Sequence, residues 1–217
     1  MLPLAIGREA NSALRLLCLG AHSDDIEIGC GATILRLLEE RPGSSVTWVV
    51  LSSDPDRERE ARASAADFLR GAAEANVRVS GFRESYFPYV AAQVKDYFEE
   101  LKREISPDLV FTHRRHDVHQ DHRTTADLTW NTFRNHLILE YEIPKYEGDL
   151  GQPQLYVPVS LALADRKTAL LMQHFATQRT RSWFRPDLFD GLMSLRAIEC
   201  NAPEGRAEAF YLRKAIL

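Results

Sequence analysis

The chain has 217 residues, is 45% hydrophobic and carries a formal net charge of −4. That length and apolar content suit one globular domain over residues 1–217, and the charge excludes a dominant basic field, so neither nucleic acid nor an anionic membrane surface is an expected partner. Three cysteines (Cys18, Cys30 and Cys200) do not make a disulfide framework.

Leu14 to Gly20 reads as a first strand, an apolar run that ends in Ala21-His22-Ser23-Asp24-Asp25. A parallel strand that delivers histidine and carboxylate at its carboxyl end places them at the active edge of an α/β sheet. Gly29 and Gly31 lead into a helix from Thr33 to Glu40, with Ile34, Leu37 and Leu38 at helical spacing and Pro42-Gly43 as the stop. Val46 to Leu51 is a second strand. Asp54-Pro55-Asp56 opens a helix that runs from near Arg57 to about Arg70. Val77 to Val79 is a short third strand, and Gly81 to Tyr89 a loop broken by Pro88. Ala91 to Ile105 is an amphipathic helix with Val94, Tyr97, Phe98 and Leu101 on one face. After a turn at Pro107-Asp108, Leu109 to Thr112 is strand four, His113 to Asp121 a loop, and His122 to Phe133 a helix. Ile138 to Tyr141 and Leu155 to Val159 are candidate strands, and Asp165 to Phe175 is helical. The order from Arg179 to Gly191 is not legible, and Glu208 to Leu212 reads as a terminal strand or the edge of a helix.

Short strands alternating with helices imply βαβ units and a mainly parallel sheet. Right-handed crossovers then bring the ends of strands one and four to one edge. No apolar run approaches the roughly 20 residues that span a bilayer. The N-terminal residues lack the pattern of a secretory signal, so the expected compartment is the cytoplasm.

Two loops after strands concentrate polar ligands. One holds His22, Asp24 and Asp25; the other runs His113-Arg114-Arg115-His116-Asp117-Val118-His119-Gln120-Asp121-His122, so five of the seven histidines fall in these two loops. A hydrolytic zinc site takes three His or carboxylate ligands and leaves a position for water, a set that His22, Asp25 and His122 can supply. Asp24, next to Asp25 but pointing differently, can face the water as a base. His119, one turn before His122, can stabilise an oxyanion, and Asp121 can orient a ring nitrogen of His119. Alone, the Asp24-Asp25 pair reads as a helix cap with a solvated neighbour; the two loops together outweigh that reading. His113 and His116 individually read as polar loop residues, and His136 and His174 as structural. Cys18 reads as a small core residue; Cys30 lies near the first loop without a CxxC to mark it as a ligand.

Ala21-His22-Ser23-Asp24-Asp25, the following Glu27-Ile28-Gly29-Cys30-Gly31, and His119-Gln120-Asp121-His122 resemble the N-acetylglucosaminyl-phosphatidylinositol de-N-acetylase family, also called PIG-L or LmbE-like deacetylases. Its motifs are Ala-His-Pro-Asp-Asp and His-x-Asp-His. The resemblance covers Leu14 to Ala126, with a weaker echo at Ala207-Glu208-Ala209-Phe210. It implies a Rossmann-like α/β three-layer sandwich with a mainly parallel sheet. It implies Zn2+ held by His22, Asp25 and His122, with Asp24 as general base. His119 would stabilise the tetrahedral intermediate, with Asp121 behind it. An arginine opening the helix after strand two would contact substrate, Arg57 fitting better than Arg59. Ser23 stands where proline is common, which makes the turn less rigid.

The activity implied is removal of an acetyl or small acyl group from an amine, on a small-molecule amino sugar or its conjugate. Tyr86, Phe87, Tyr89, Trp183 and Phe184 are candidates to stack on a sugar ring, with core or interface packing as the competing reading. The Arg179 to Arg185 stretch is a candidate lid or homo-oligomer contact. Two other classes stay open: a metal-dependent hydrolase of phosphoesters or non-sugar amides, and a non-catalytic nucleotide- or metal-binding module. Against the module, no GxGxxG follows strand one, and a storage site needs neither Asp24 nor His119.

Overall fold

A computed structural model describes residues 12–216. Five parallel strands carry the first two-thirds of the chain: β1 (Arg15–Gly20), β2 (Ser45–Val50), β3 (Glu74–Val79), β4 (Leu109–His113) and β5 (Leu137–Tyr141). Two more follow, β6 (Leu155–Pro158) and β7 (Ala207–Leu212), and the seven pair in the order β3-β2-β1-β4-β5-β7-β6. β7 is antiparallel to both its neighbours.

Side chains of β1 alternate between two cores: Leu16 and Cys18 join one, Leu17 and Leu19 the other. A strand covered on both faces is apolar without interruption, which is why this segment reads as a continuous run. The first core is closed by α1 (Asp25–Glu40), α2 (Pro55–Phe68), α5 (Leu161–His174) and α6 (Pro186–Cys200). The second is closed by α3 (Ala91–Glu104) and by Phe87 and Phe133, which flank α3 and α4 (Gln120–Thr132). The result is the expected three-layer α/β sandwich. The expected strands and most helices agree with these elements to within a few residues.

Two elements go beyond the reading of the sequence, and a third settles its alternatives. Helix α1 begins at Asp25 rather than Thr33, and its backbone leaves helical geometry at Cys30 (φ −146, ψ 15). The Glu208 carboxylate accepts from the N–H groups of Ala32 (3.1 Å) and Thr33 (2.7 Å), capping the segment after the break. The periodicity from Thr33 therefore belongs to the second half of a longer helix. Helix α6 was not legible; Phe189, Met193 and Ala197 face the core at helical spacing, but exposed Leu195 and Ile198 blur its polar face. The segment ending at Leu212 is a strand, not a helix edge.

The chain steps from β1 to β2 to β3 in one direction and returns across β1 to β4 and β5 in the other. β1 and β4 are direct parallel neighbours, with Leu16, Leu17 and Cys18 opposite Leu109, Val110 and Phe111. The crevice beyond their carboxyl ends is the topological switch point, where ligands bind in open α/β sheets. Both polar loops open into it. No helix among the described residues is long and apolar enough to cross a membrane. The reading that no signal precedes the domain concerns residues 1–11, outside those described.

Candidate metal centre and active-site cleft

His22 follows β1 directly, and its backbone N–H donates to Asp25 Oδ2 (2.7 Å), which folds the loop back on the first turn of α1. Neither acid behaves as the bland reading expects: the Asp24 side chain does not cap α1, and both carboxylates are only 3% exposed. From the second loop, His122 sits in the first turn of α4 and His119 is its N-cap. His22 Nδ1 and His122 Nε2 stand 3.1 Å apart. His22 Nδ1 is 3.3 Å from Asp25 Oδ2, and His122 Nε2 is 3.4 Å from Asp25 Oδ1.

The other nitrogen of each ring is committed. His22 Nε2 meets Asp121 Oδ2 at 3.1 Å, and His122 Nδ1 meets Asp117 Oδ2 at 3.0 Å. Each far nitrogen donates a proton to a carboxylate, which leaves each near nitrogen to turn a lone pair toward an ion when one is bound. Two ring nitrogens and the two oxygens of one carboxylate draw together, an arrangement suited to a cation. Ligands bound at about 2.0–2.1 Å around a tetrahedral zinc stand roughly 3.3–3.4 Å apart, close to the spacings here, so these residues fit the ion.

The electrostatics agree. Burial pushes Asp25 up, but His122, His113 and His22 outweigh it and hold its carboxyl well below the usual range. Burial works against charge on His22, yet Asp25 and Asp121 overrule it and raise the ring to about 10, so without a metal a proton supplies the cation. Asp24 goes the other way: burial pushes it up to about 6 against the pull of Arg57. Its Oδ1 accepts from Arg57 Nη2 (3.2 Å), while its Oδ2 is buried with no partner among the described residues. His119 Nδ1 accepts from the backbone N–H of Asp121 (3.3 Å), which places the ring proton on Nε2 as a donor.

These groups line a cleft of about 560 Å³. The family profile described as PIG-L, GlcNAc-PI de-N-acetylase, matches residues 17–133. The chain belongs to the PIG-L family. An uncharacterized deacetylase of Escherichia coli K12, YaiS, is 28% identical over 190 residues, covering 80% of this chain and 97% of that protein. The N,N'-diacetylchitobiose deacetylase of Pyrococcus horikoshii has a TM-score of 0.68 at 18% identity, covering 95% of this chain and 85% of that one. GalB, a 4-carboxy-2-hydroxymuconate hydratase of Pseudomonas putida KT2440, reaches a TM-score of 0.75 at 18% identity, covering 95% of this chain and 98% of that one. The fold thus hosts more than one chemistry, and the reaction has to be argued from the site.

In this PIG-L chain, Arg57 and not Arg59 enters the cleft. Arg57 bridges Asp24 and Glu84 (3.1 Å), whereas Arg59 pairs with Asp56 on the helix surface. One expected contact is corrected. The Asp121 carboxylate holds His22, not His119, and it also accepts from the N–H groups of Ser85 (2.6 Å) and Phe87 (3.1 Å). What Asp121 offers His119 is its backbone N–H, because His119 caps α4 instead of lying within it.

His113 is not a loop residue. It ends β4 fully buried, 3.1 Å from Asp25 Oδ2 and stacked on His122 with ring centroids 3.9 Å apart. Burial, then His122, lower it to about 4, so it packs as a neutral ring. His116 is exposed. Among the five aromatic candidates, Trp183 lines the cleft; Phe87 and Phe184 are core, and Tyr86 and Tyr89 pack on one another. Arg181 and Trp183 make the stretch after α5 a wall of the cleft. Asp117, which holds His122, was missed, although an acid two residues before His119 in a histidine-rich loop is a readable sign. Lys145, bound to Asp117 at 3.0 Å, comes from the segment after β5 and has no local signal.

Proposed function

We propose that this PIG-L chain is a zinc-dependent hydrolase that removes an acetyl or similar small acyl group from the nitrogen of an amino sugar or its conjugate. The observation that carries this is the convergence of His22, Asp25 and His122 beside an Asp24 carboxylate whose second oxygen is unpartnered. When bound, the ion would lower the pKa of a water toward about 7 and polarise the amide carbonyl.

The remaining work falls to the protein. Asp24 Oδ2 receives the proton of the attacking water, and Arg57 keeps the carboxylate oriented through Oδ1. His119 Nε2–H donates to the oxyanion that develops as the carbonyl carbon becomes tetrahedral, support worth about 3 kcal/mol for a single donor. Asp24 then returns the proton to the leaving nitrogen, releasing a carboxylic acid and a primary amine. Asp121 keeps His22 in the tautomer that points Nδ1 inward. On the acceptor side, half-buried Trp183 and exposed Tyr146 offer faces for a sugar ring. The neighbour that acts on diacetylchitobiose supports a glycosidic substrate.

The test is product analysis with zinc-loaded protein over a panel of N-acetylated amino sugars and their glycosides. Acetate and a new primary amine in equal amounts are expected. Release of phosphate from phosphorylated sugars without amine formation would assign the site to phosphoester hydrolysis instead.

A further inference from the structure

We propose that Lys145 is a positioning residue for His122, acting through Asp117; this rests on the reading that His22, Asp25 and His122 hold a metal. The Lys145 side chain is 8% exposed although it borders the cleft. Its ammonium donates to Asp117 Oδ2 (3.0 Å), to both oxygens of Asp149 (2.7 and 2.9 Å) and weakly to the Ile143 carbonyl (3.5 Å). An ammonium has three N–H groups, and these acceptors engage them. Lys145 therefore serves the protein, not the substrate.

Asp117 is the hub of this arrangement. Its Oδ1 accepts from the backbone N–H of His119 (2.8 Å), while Oδ2 takes His122 Nδ1 and Lys145 together. A carboxylate this buried needs a counter-charge to stay in place, and Lys145 supplies it at the same oxygen that takes His122. With Oδ2 pinned, His122 keeps its proton on Nδ1 and its lone pair on Nε2, toward His22 and Asp25. Asp149 closes the link from the far side by accepting the N–H of Val118 (2.7 Å). The segment from Ile143 to Asp149, which forms one wall of the cleft, is thus tied to the loop that carries the proposed ligand by one salt bridge, Lys145 to Asp117, and by the hydrogen bond from Val118 to Asp149. Cleft wall and ligand are held as one unit.

The experiment compares full-length wild type with Lys145→Met, Lys145→Arg and Asp149→Ala. Zinc affinity is read by competition with a chromophoric chelator, and the His122 tautomer by 15N NMR of the metal-free protein. Lys145→Met should raise the zinc Kd by about 10–100-fold and let a fraction of His122 carry its proton on Nε2, with Lys145→Arg recovering part of the affinity. A folded Lys145→Met that binds zinc within about twofold of wild type, with an unchanged tautomer, would overturn the proposal. Should Lys145→Met not fold, Asp149→Ala decides: it removes the far anchor of Lys145 together with the Val118 contact and should weaken zinc binding by a smaller factor, and an unchanged Kd would overturn the role of Lys145. Wild type that binds no zinc would overturn the metal reading underneath.

Discussion

Arg57 Nη2 stands 3.2 Å from Asp24 Oδ1 at the floor of the cleft, with both side chains nearly buried. A general base works only while ionised, and burial pushes Asp24 up to about 6 against the pull of Arg57. Removing the guanidinium takes away the largest influence opposing burial, so the Asp24 carboxyl rises further and protonates at higher pH. Arg57→Gln should therefore move the acid limb of the kcat/KM profile to higher pH, with the loss greatest at low pH. A profile lowered evenly at every pH would show that Arg57 serves substrate binding alone.

Chelation should abolish turnover and leave the fold standing. Asp25 and the histidines around it can hold a proton where the metal would sit, so the emptied centre is not a cluster of bare charges. Added zinc should raise the melting temperature in proportion to the logarithm of its concentration, with about 2.7 kcal/mol gained near 100 times Kd. A melting curve indifferent to zinc would contradict a site formed in the native state.

Gly29 has no room for a side chain. A Cβ there would lie 2.2 Å from the Tyr141 ring, whose hydroxyl donates to the Leu19 carbonyl (2.6 Å) and whose face packs on His113. Gly29→Ala must displace that ring, costing roughly 1–3 kcal/mol as overpacking does. The shift would pass through His113 to Asp25. Denaturant titration measures the cost, and an unchanged midpoint would mean that Tyr141 moves freely.

Lys167 and Glu208 form a pair at 2.6 Å under the break in α1, each about 3% exposed. Lys167→Met strands a buried carboxylate and should cost about 3–5 kcal/mol. The double change Lys167→Met with Glu208→Gln should recover part of this, because it removes the stranded charge and the one Gln carbonyl oxygen still accepts from one of the two N–H groups, Ala32 or Thr33. Equal stabilities of single and double variants would remove the pair from the account of α1.

Legibility in the sequence followed the range of each interaction. β1, β2, β4 and β5 are readable because burial writes a largely apolar run, whereas edge strand β3, exposed or half-buried throughout, is legible only from Val77 to Val79. The proposed ligands His22 and Asp25 are legible as residues just past β1, and His122 as the end of the histidine-rich loop after β4. The start of α1 was not, since its break at Cys30 depends on Glu208, which is 178 positions away from Cys30 in the chain. The partner of the Asp121 carboxylate is hidden for a similar reason: distance along the chain favours His119, and only the adjacency of β1 and β4 brings His22 to it. Lys145 reaches Asp117 across β5, a contact that no local pattern records.

The division of labour between the adjacent acids is tested most directly by measuring bound zinc and turnover on one sample of Asp24→Asn. With Asp25 on the metal and Asp24 on the water, the variant should hold as much zinc as wild type while kcat falls by about 10²–10⁴. Full turnover in a zinc-loaded Asp24→Asn, or loss of the zinc itself, would contradict it.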